Sequence, residues 1–183
     1  MALLGDSITD NTRIASLDWF NQADEAAGWP LGPIYEHGVG GDTTAQMLAR
    51  VGTVTALDIG YCVVLGGAND AAAGTGSATT IANLRGICDA LVAAGIVPIV
   101  GTILPRSGIS DPTEQETITG TNAWLRTDLA TEYPTALLVD WNPAMSDGDE
   151  LTPNAVLFSD SIHPNAAGAT VMAGVLDDVL AAL

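Results

Sequence analysis

The chain contains no lysine. Five arginines stand against 22 aspartates and glutamates in 183 residues, giving a formal net charge of −17. That balance argues against nucleic acid and anionic membrane surfaces as partners. It also argues mildly against strongly anionic substrates, although a local arginine can reverse the field inside a pocket. Histidine occurs only at His37 and His163, which excludes a three-histidine zinc site and the HExxH type. The two cysteines, Cys62 and Cys88, sit in separate apolar segments and read as buried thiols rather than a disulfide framework. No CxxC pair is present, and no apolar run is long and clean enough to span a membrane. No signal peptide precedes the first apolar run, so the expected setting is cytoplasmic, or secreted with the signal removed.

What is present is apolar: 48% hydrophobic residues with only 15% charged ones, enough for one folded domain over residues 1–183. Strand-like runs alternate with helix-like stretches from end to end. The strands are expected at Ala2–Leu4, Ile34–His37, Tyr61–Leu65, Val97–Leu104 and Ala136–Val139. The helices are expected at Ser16–Ala27, from Thr43 or Thr44 through Val54, and at Ala78–Ala94, Thr113–Glu132 and Asn165–Leu183. A loop is expected from Asp140 to His163. Five strands alternating with five helices imply a parallel sheet in a three-layer α/β/α sandwich with right-handed crossovers. In such sheets the working crevice lies beyond the carboxyl ends of the strands.

Polar residues gather at those ends. Gly5-Asp6-Ser7-Ile8-Thr9 follows the first strand, and Gly38-Val39-Gly40-Gly41-Asp42-Thr43-Thr44 follows the second. Gly66-Gly67-Ala68-Asn69-Asp70 follows the third, and Asp160-Ser161-Ile162-His163-Pro164 precedes the last helix. Each alone has an ordinary explanation as a capped turn, a tight loop, an Asx turn or a helix cap. The glycines spell neither GxGxxG nor a phosphate-binding P-loop.

Together they supply what acyl transfer needs. Ser7 is the candidate nucleophile and His163 the base, with Asp160 three residues earlier to orient the imidazole. The backbone amides of Ser7 and Gly41, with the Asn69 side chain, are candidate oxyanion donors. Other residues carry weaker expectations. Asp6 braces the serine turn or touches substrate. Arg106 binds a substrate oxygen or forms a salt bridge. Phe158 and Trp141 wall the pocket or pack in the core. His37 marks a strand end, with a second base as the lesser reading. Asp147-Gly148-Asp149-Glu150 hints at calcium but lacks the full loop pattern and reads as a solvated turn. The loops Pro105–Pro112 and Asn142–Phe158 are expected to shape the acyl and alcohol pockets.

The four blocks resemble the SGNH or GDSL-type hydrolase family, named for its Ser, Gly, Asn and His blocks, over nearly the whole chain. Gly-Val-Gly-Gly-Asp-Thr-Thr and Ile103-Leu104-Pro105-Arg106 are most similar to platelet-activating-factor acetylhydrolase subunits and bacterial short-chain esterases. The α/β-hydrolase elbow G-x-S-x-G is absent. The resemblance implies a flavodoxin-like sheet, no cofactor, and a small-molecule ester as partner. It implies Ser7, Asp160 and His163 as a triad, with Ser7, Gly41 and Asn69 in the oxyanion hole. The expected activity is hydrolysis of short-chain, chiefly acetyl, esters, with carbohydrate O-deacetylation as one form. The alternatives are a lysophospholipase or thioesterase, and a catalytically silent carbohydrate-binding module on the same fold.

Overall fold

A computed structural model describes residues 1–10, Trp19 and 33–182. The helix expected over Ser16–Ala27 lies, apart from Trp19, outside the described residues. Five parallel strands form one sheet in the order β2-β1-β3-β4-β5: β1 Ala2–Gly5, β2 Tyr35–Gly38, β3 Tyr61–Leu65, β4 Val97–Gly101 and β5 Leu137–Val139. The chain steps outward from β1 to β2 and then returns to lay β3 on the opposite side of β1. This reversal opens a crevice between the ends of β1 and β3.

The continuous apolar runs read as strands buried on both faces, and the pleat sorts them. Leu3, Val63, Leu65 and Ile99 point into one core, with Trp141, Met172, Leu176 and Leu180. Ala2, Leu4, Cys62, Val64 and Val100 point into the other, with Met47, Leu84, Ile87 and Leu91. The second core is covered by α1 Thr44–Arg50, α2 Gly52–Thr55 and α4 Ser77–Ala93, and by α5 Pro112–Thr127 with α6 Leu129–Glu132. Cys62 and Cys88 are both free and buried. The first core is covered by α8 Ala166–Leu180, whose N-cap Asn165 accepts from the amides of Ala167 and Gly168. None of these helices is long and apolar enough to cross a membrane.

Three expectations are corrected. Strand β4 stops at Gly101 instead of Leu104, because beyond Thr102 the main chain is satisfied by side chains. Asn122 accepts from the Ile103 amide at 2.8 Å, and both Asn122 and Asn142 donate to the Ile103 carbonyl. The helix expected over Thr113–Glu132 breaks at Asp128, which closes α5 and opens α6. The stretch from Asp140 to His163 is not all loop. It holds α7 Trp141–Met145 and a 3-10 turn at Ala155–Leu157, and Trp141 is pulled into the core by its bond to the Met172 carbonyl. The sequence reading also missed α3 Ala68–Ala72, started by Gly67 at φ +115°. Only glycine adopts that angle readily, and a Cβ there would also strike Ile103.

Candidate active site

After β1 the chain turns at once. The amides of Thr9 and Asp10 both donate to the Asp6 carbonyl, making a single helical turn that carries Ser7 at the sheet edge. Gly5 is required at this bend, since a Cβ would meet Thr9 and come within 2.7 Å of the Leu65 carbonyl. On the far side of the crevice, Asp160 opens a tight turn in which its Oδ1 accepts from the amides of Ile162 and His163 at 2.9 and 2.7 Å. That turn aims the His163 ring at Ser7.

The hydroxyl, imidazole and carboxylate lie in series. Ser7 Oγ is 2.9 Å from His163 Nε2, and His163 Nδ1 is 2.8 Å from Asp160 Oδ2. Burial works to raise the Asp160 pKa, but the Ile162 and His163 amides and the His163 ring outweigh it and hold the carboxyl below its ordinary value. A carboxylate that stays ionised fixes a proton on Nδ1 and leaves Nε2 free to accept from a hydroxyl.

The Gly38–Thr44 turn and the Gly66–Asp70 turn meet beside Ser7. Asn69 Nδ2 donates to the Asp42 carbonyl at 2.9 Å and makes a longer contact of 3.4 Å to Asp6 Oδ2. Gly41 sits at φ +88° with nothing within 4 Å of where a Cβ would be, so its backbone is open to an approaching group. Thus the structure brings together Ser7, His163, Asp160 and Asn69, with Gly41 next to the carbonyl that Asn69 holds.

The remaining candidates separate. Asp6 is 1% exposed and its Oδ1 accepts from the Ile8 amide at 2.9 Å, so the expectation that it touches substrate is corrected: it braces the turn from below. Burial pushes its carboxyl up to about 6, against the pull of the Ile8 amide and His163. Phe158 is packed in the core with Met145 and Leu157, and Trp141 is wholly buried against Trp19, which is the core-packing reading of both. His37 spends Nδ1 on Thr53, and burial with the nearby Arg50 lowers its pKa. Asp149 turns its carboxylate onto the Leu151 and Thr152 amides of its own loop, and Glu150 pairs with Arg126. Among the described residues no group of three or more His, Cys, Asp or Glu side chains is placed to hold a metal ion. Among the described residues Arg106 forms no salt bridge; its Nη1 donates to the Ala68 carbonyl at 3.3 Å.

Two residues that position the site were missed. Arg50 donates from Nη2 to the Gly5 carbonyl and from Nη1 to the His37 carbonyl, both at 2.8 Å, and from Nε to Asp42 at 2.6 Å. It ties the ends of β1 and β2 to the glycine turn. Asp70, fully buried, receives the amide and hydroxyl of Thr44. The scarcity of cations was the one available hint for Arg50. For Asp70 there was none, because its partner lies 26 residues away.

The same architecture occurs in solved structures of low sequence identity. One is a member of the lipolytic protein G-D-S-L family from Veillonella parvula DSM 2008, at 19% identity and TM-score 0.82, covering 100% of this chain and 98% of that one. A GDSL-like lipase from Bacteroides thetaiotaomicron VPI-5482 shares 22% identity at TM-score 0.79, covering 100% and 88%. A mutant of an acetyl-xylooligosaccharide esterase from Geobacillus stearmophilus shares 21% at TM-score 0.75, covering 96% and 90%. No curated protein matches the sequence. Residues 3–171 match the GDSL-like lipase/acylhydrolase family. The chain therefore belongs to that family, and its class is that of the carboxylic ester hydrolases.

Proposed function

We propose that the protein hydrolyses short-chain carboxylic esters, acetyl esters first, through an acyl-enzyme on Ser7. The observation that carries this reading is the unbroken series Ser7–His163–Asp160, with both links under 3 Å. As an ester binds, Ser7 Oγ attacks its carbonyl carbon and His163 Nε2 takes the hydroxyl proton. The negative charge on the former carbonyl oxygen is met by the amides of Ser7 and Gly41 and by Asn69 Nδ2. Asn69 has a hydrogen for this task, because its 3.4 Å contact to Asp6 is long and weak beside its 2.9 Å bond to the Asp42 carbonyl. Collapse of the intermediate breaks the ester C–O bond, and His163 returns the proton to the leaving alkoxide. Water then repeats the sequence on the acyl-serine, releasing the acid and restoring the hydroxyl.

A short acyl group suits the floor of the site. The space lined by Asp6, Ile8, Leu65, Ala68, Ile103 and Leu104 is too narrow for a water molecule, so a long acyl chain has no path into the core there. An acetylated carbohydrate is one fitting source of such esters, and one protein of the same fold is an acetyl-xylooligosaccharide esterase.

The test is labelling with a fluorophosphonate probe, followed by a screen of 4-nitrophenyl esters of increasing acyl length beside acetylated sugars. Labelling at Ser7 and turnover that falls with acyl length support the reading. An unlabelled Ser7 in folded protein would mark a silent binding module instead, and a preference for long chains or thioesters would move the substrate to those classes.

A further inference from the structure

Beside the His163 turn runs a groove of about 620 Å³ between the Arg106–Ile109 loop and the Asp149–Pro153 loop. Its head is fastened to the site, since the Ser107 amide donates to the Ser161 carbonyl at 2.9 Å, within the Asp160–His163 turn. In the proposed reaction His163 delivers the proton to the departing alkoxide, so the alcohol portion of the ester must lie on the His163 side. The groove is the space that portion would enter.

The charges lining this groove are unevenly engaged. Asp149 is saturated by its own loop, taking the Leu151 and Thr152 amides at 2.8 Å and the Thr152 hydroxyl at 2.9 Å. Glu150 pairs with Arg126, which it shares with Asp140. Arg106 has no such partner. Among the described residues the other arginines are paired, and two of them use the same edge: Arg85 gives Nε and Nη2 to Glu132, and Arg126 gives Nε and Nη2 to Asp140. In Arg106 only Nη1 is bonded, to the Ala68 carbonyl next to Asn69. Its Nε is shielded from water with no acceptor, and among the described residues Nη2 has no hydrogen-bond partner. An unmet guanidinium edge of this kind is costly, and its fork matches the two oxygens of a carboxylate.

We propose that Arg106 reads a carboxylate on the alcohol portion of the substrate, so that the preferred ester is an acylated hydroxy acid. This rests on the ester hydrolase reading above. Asp149 and Glu150 do not compete for Arg106, because both carboxylates are turned onto partners of their own. The anion would meet Nη2, the reachable arm of the guanidinium beside the shielded Nε.

The test compares 3-acetoxybenzoate with phenyl acetate, measured on the wild type, Arg106→Gln and Arg106→Lys. In Arg106→Gln the ratio of kcat/KM for the anionic over the neutral ester is expected to fall by about tenfold or more, through KM, as for loss of one charge-assisted hydrogen bond. Arg106→Lys, which keeps the charge without the fork, is expected to recover part of it. A purely structural role would lower both esters together, and an unchanged ratio in Arg106→Gln overturns the proposal. If the wild type turns over neither ester, the hydrolase reading fails separately. Calorimetric titration with 3-hydroxybenzoate then decides on Arg106, and equal binding by wild type and Arg106→Gln overturns its role.

Discussion

Asp70 accepts both the amide and the hydroxyl of Thr44, at 2.8 and 2.6 Å, and so holds the first residue of α1 against α3. Because Gly41 lies just before α1 and Asn69 lies in α3, this one carboxylate sets the spacing of the two residues proposed above as oxyanion donors. Asp70→Ala leaves two buried donors on Thr44 unmet. The expected cost is about 3 kcal/mol of stability with a lower kcat, read by urea unfolding and ester kinetics. Thr44→Val added to it should cost much less than it does in the wild type, since both changes break the same contact.

Ser7→Ala and His163→Ala are each expected to remove turnover of 4-nitrophenyl acetate, by on the order of a millionfold in kcat, with the circular dichroism spectrum unchanged. Asp160→Asn is expected to cost on the order of ten-thousandfold, since an amide no longer holds the proton on His163 Nδ1. Retention of activity by purified Ser7→Ala protein would refute the mechanism.

Asn69→Ala should lower kcat by about 3 kcal/mol of transition-state stabilisation, with KM little changed, because the amide meets charge that develops only during attack. Steady-state kinetics separate the two. A change confined to KM would show that Asn69 binds substrate and does not serve the oxyanion.

The Asp6 carboxyl titrates at about 6 in the fold against an ordinary 3.8, because burial disfavours its charge. The folded chain holds this proton more tightly than the unfolded chain. As pH rises from 3.8 towards 6 the unfolded state therefore binds fewer protons at this residue, and stability falls. Asp6→Asn cannot ionise and removes that fall. The stability of the variant relative to wild type should rise by on the order of 3 kcal/mol across this window, as measured by urea unfolding at a series of pH values. A difference that is flat with pH would show that Asp6 stays ionised.

The sequence carried the strands and the four polar blocks because their signals are local. Apolar runs such as Tyr61–Leu65 have few alternatives to a buried strand, and Asp160 with His163 lie within one turn. What escaped was decided by distant partners. Asn122 and Asn142 end β4 by taking over the Ile103 main chain, and Trp141 is drawn into the core by reaching Met172. Arg50 and Asp70 join blocks that the sequence shows only as separate turns. Phe158 and Trp141 looked available to a ligand only because nothing local says which face of a loop will be covered.

Ser7 and His163 are 156 residues apart along the chain and 2.9 Å apart in space. During synthesis the serine emerges well before His163, and on the proposed mechanism it has no base until the five strands between and around them have been made. On that mechanism hydrolysis is withheld from every form in which the two are not yet docked, and a burst of acyl-serine in a refolding experiment would time that docking.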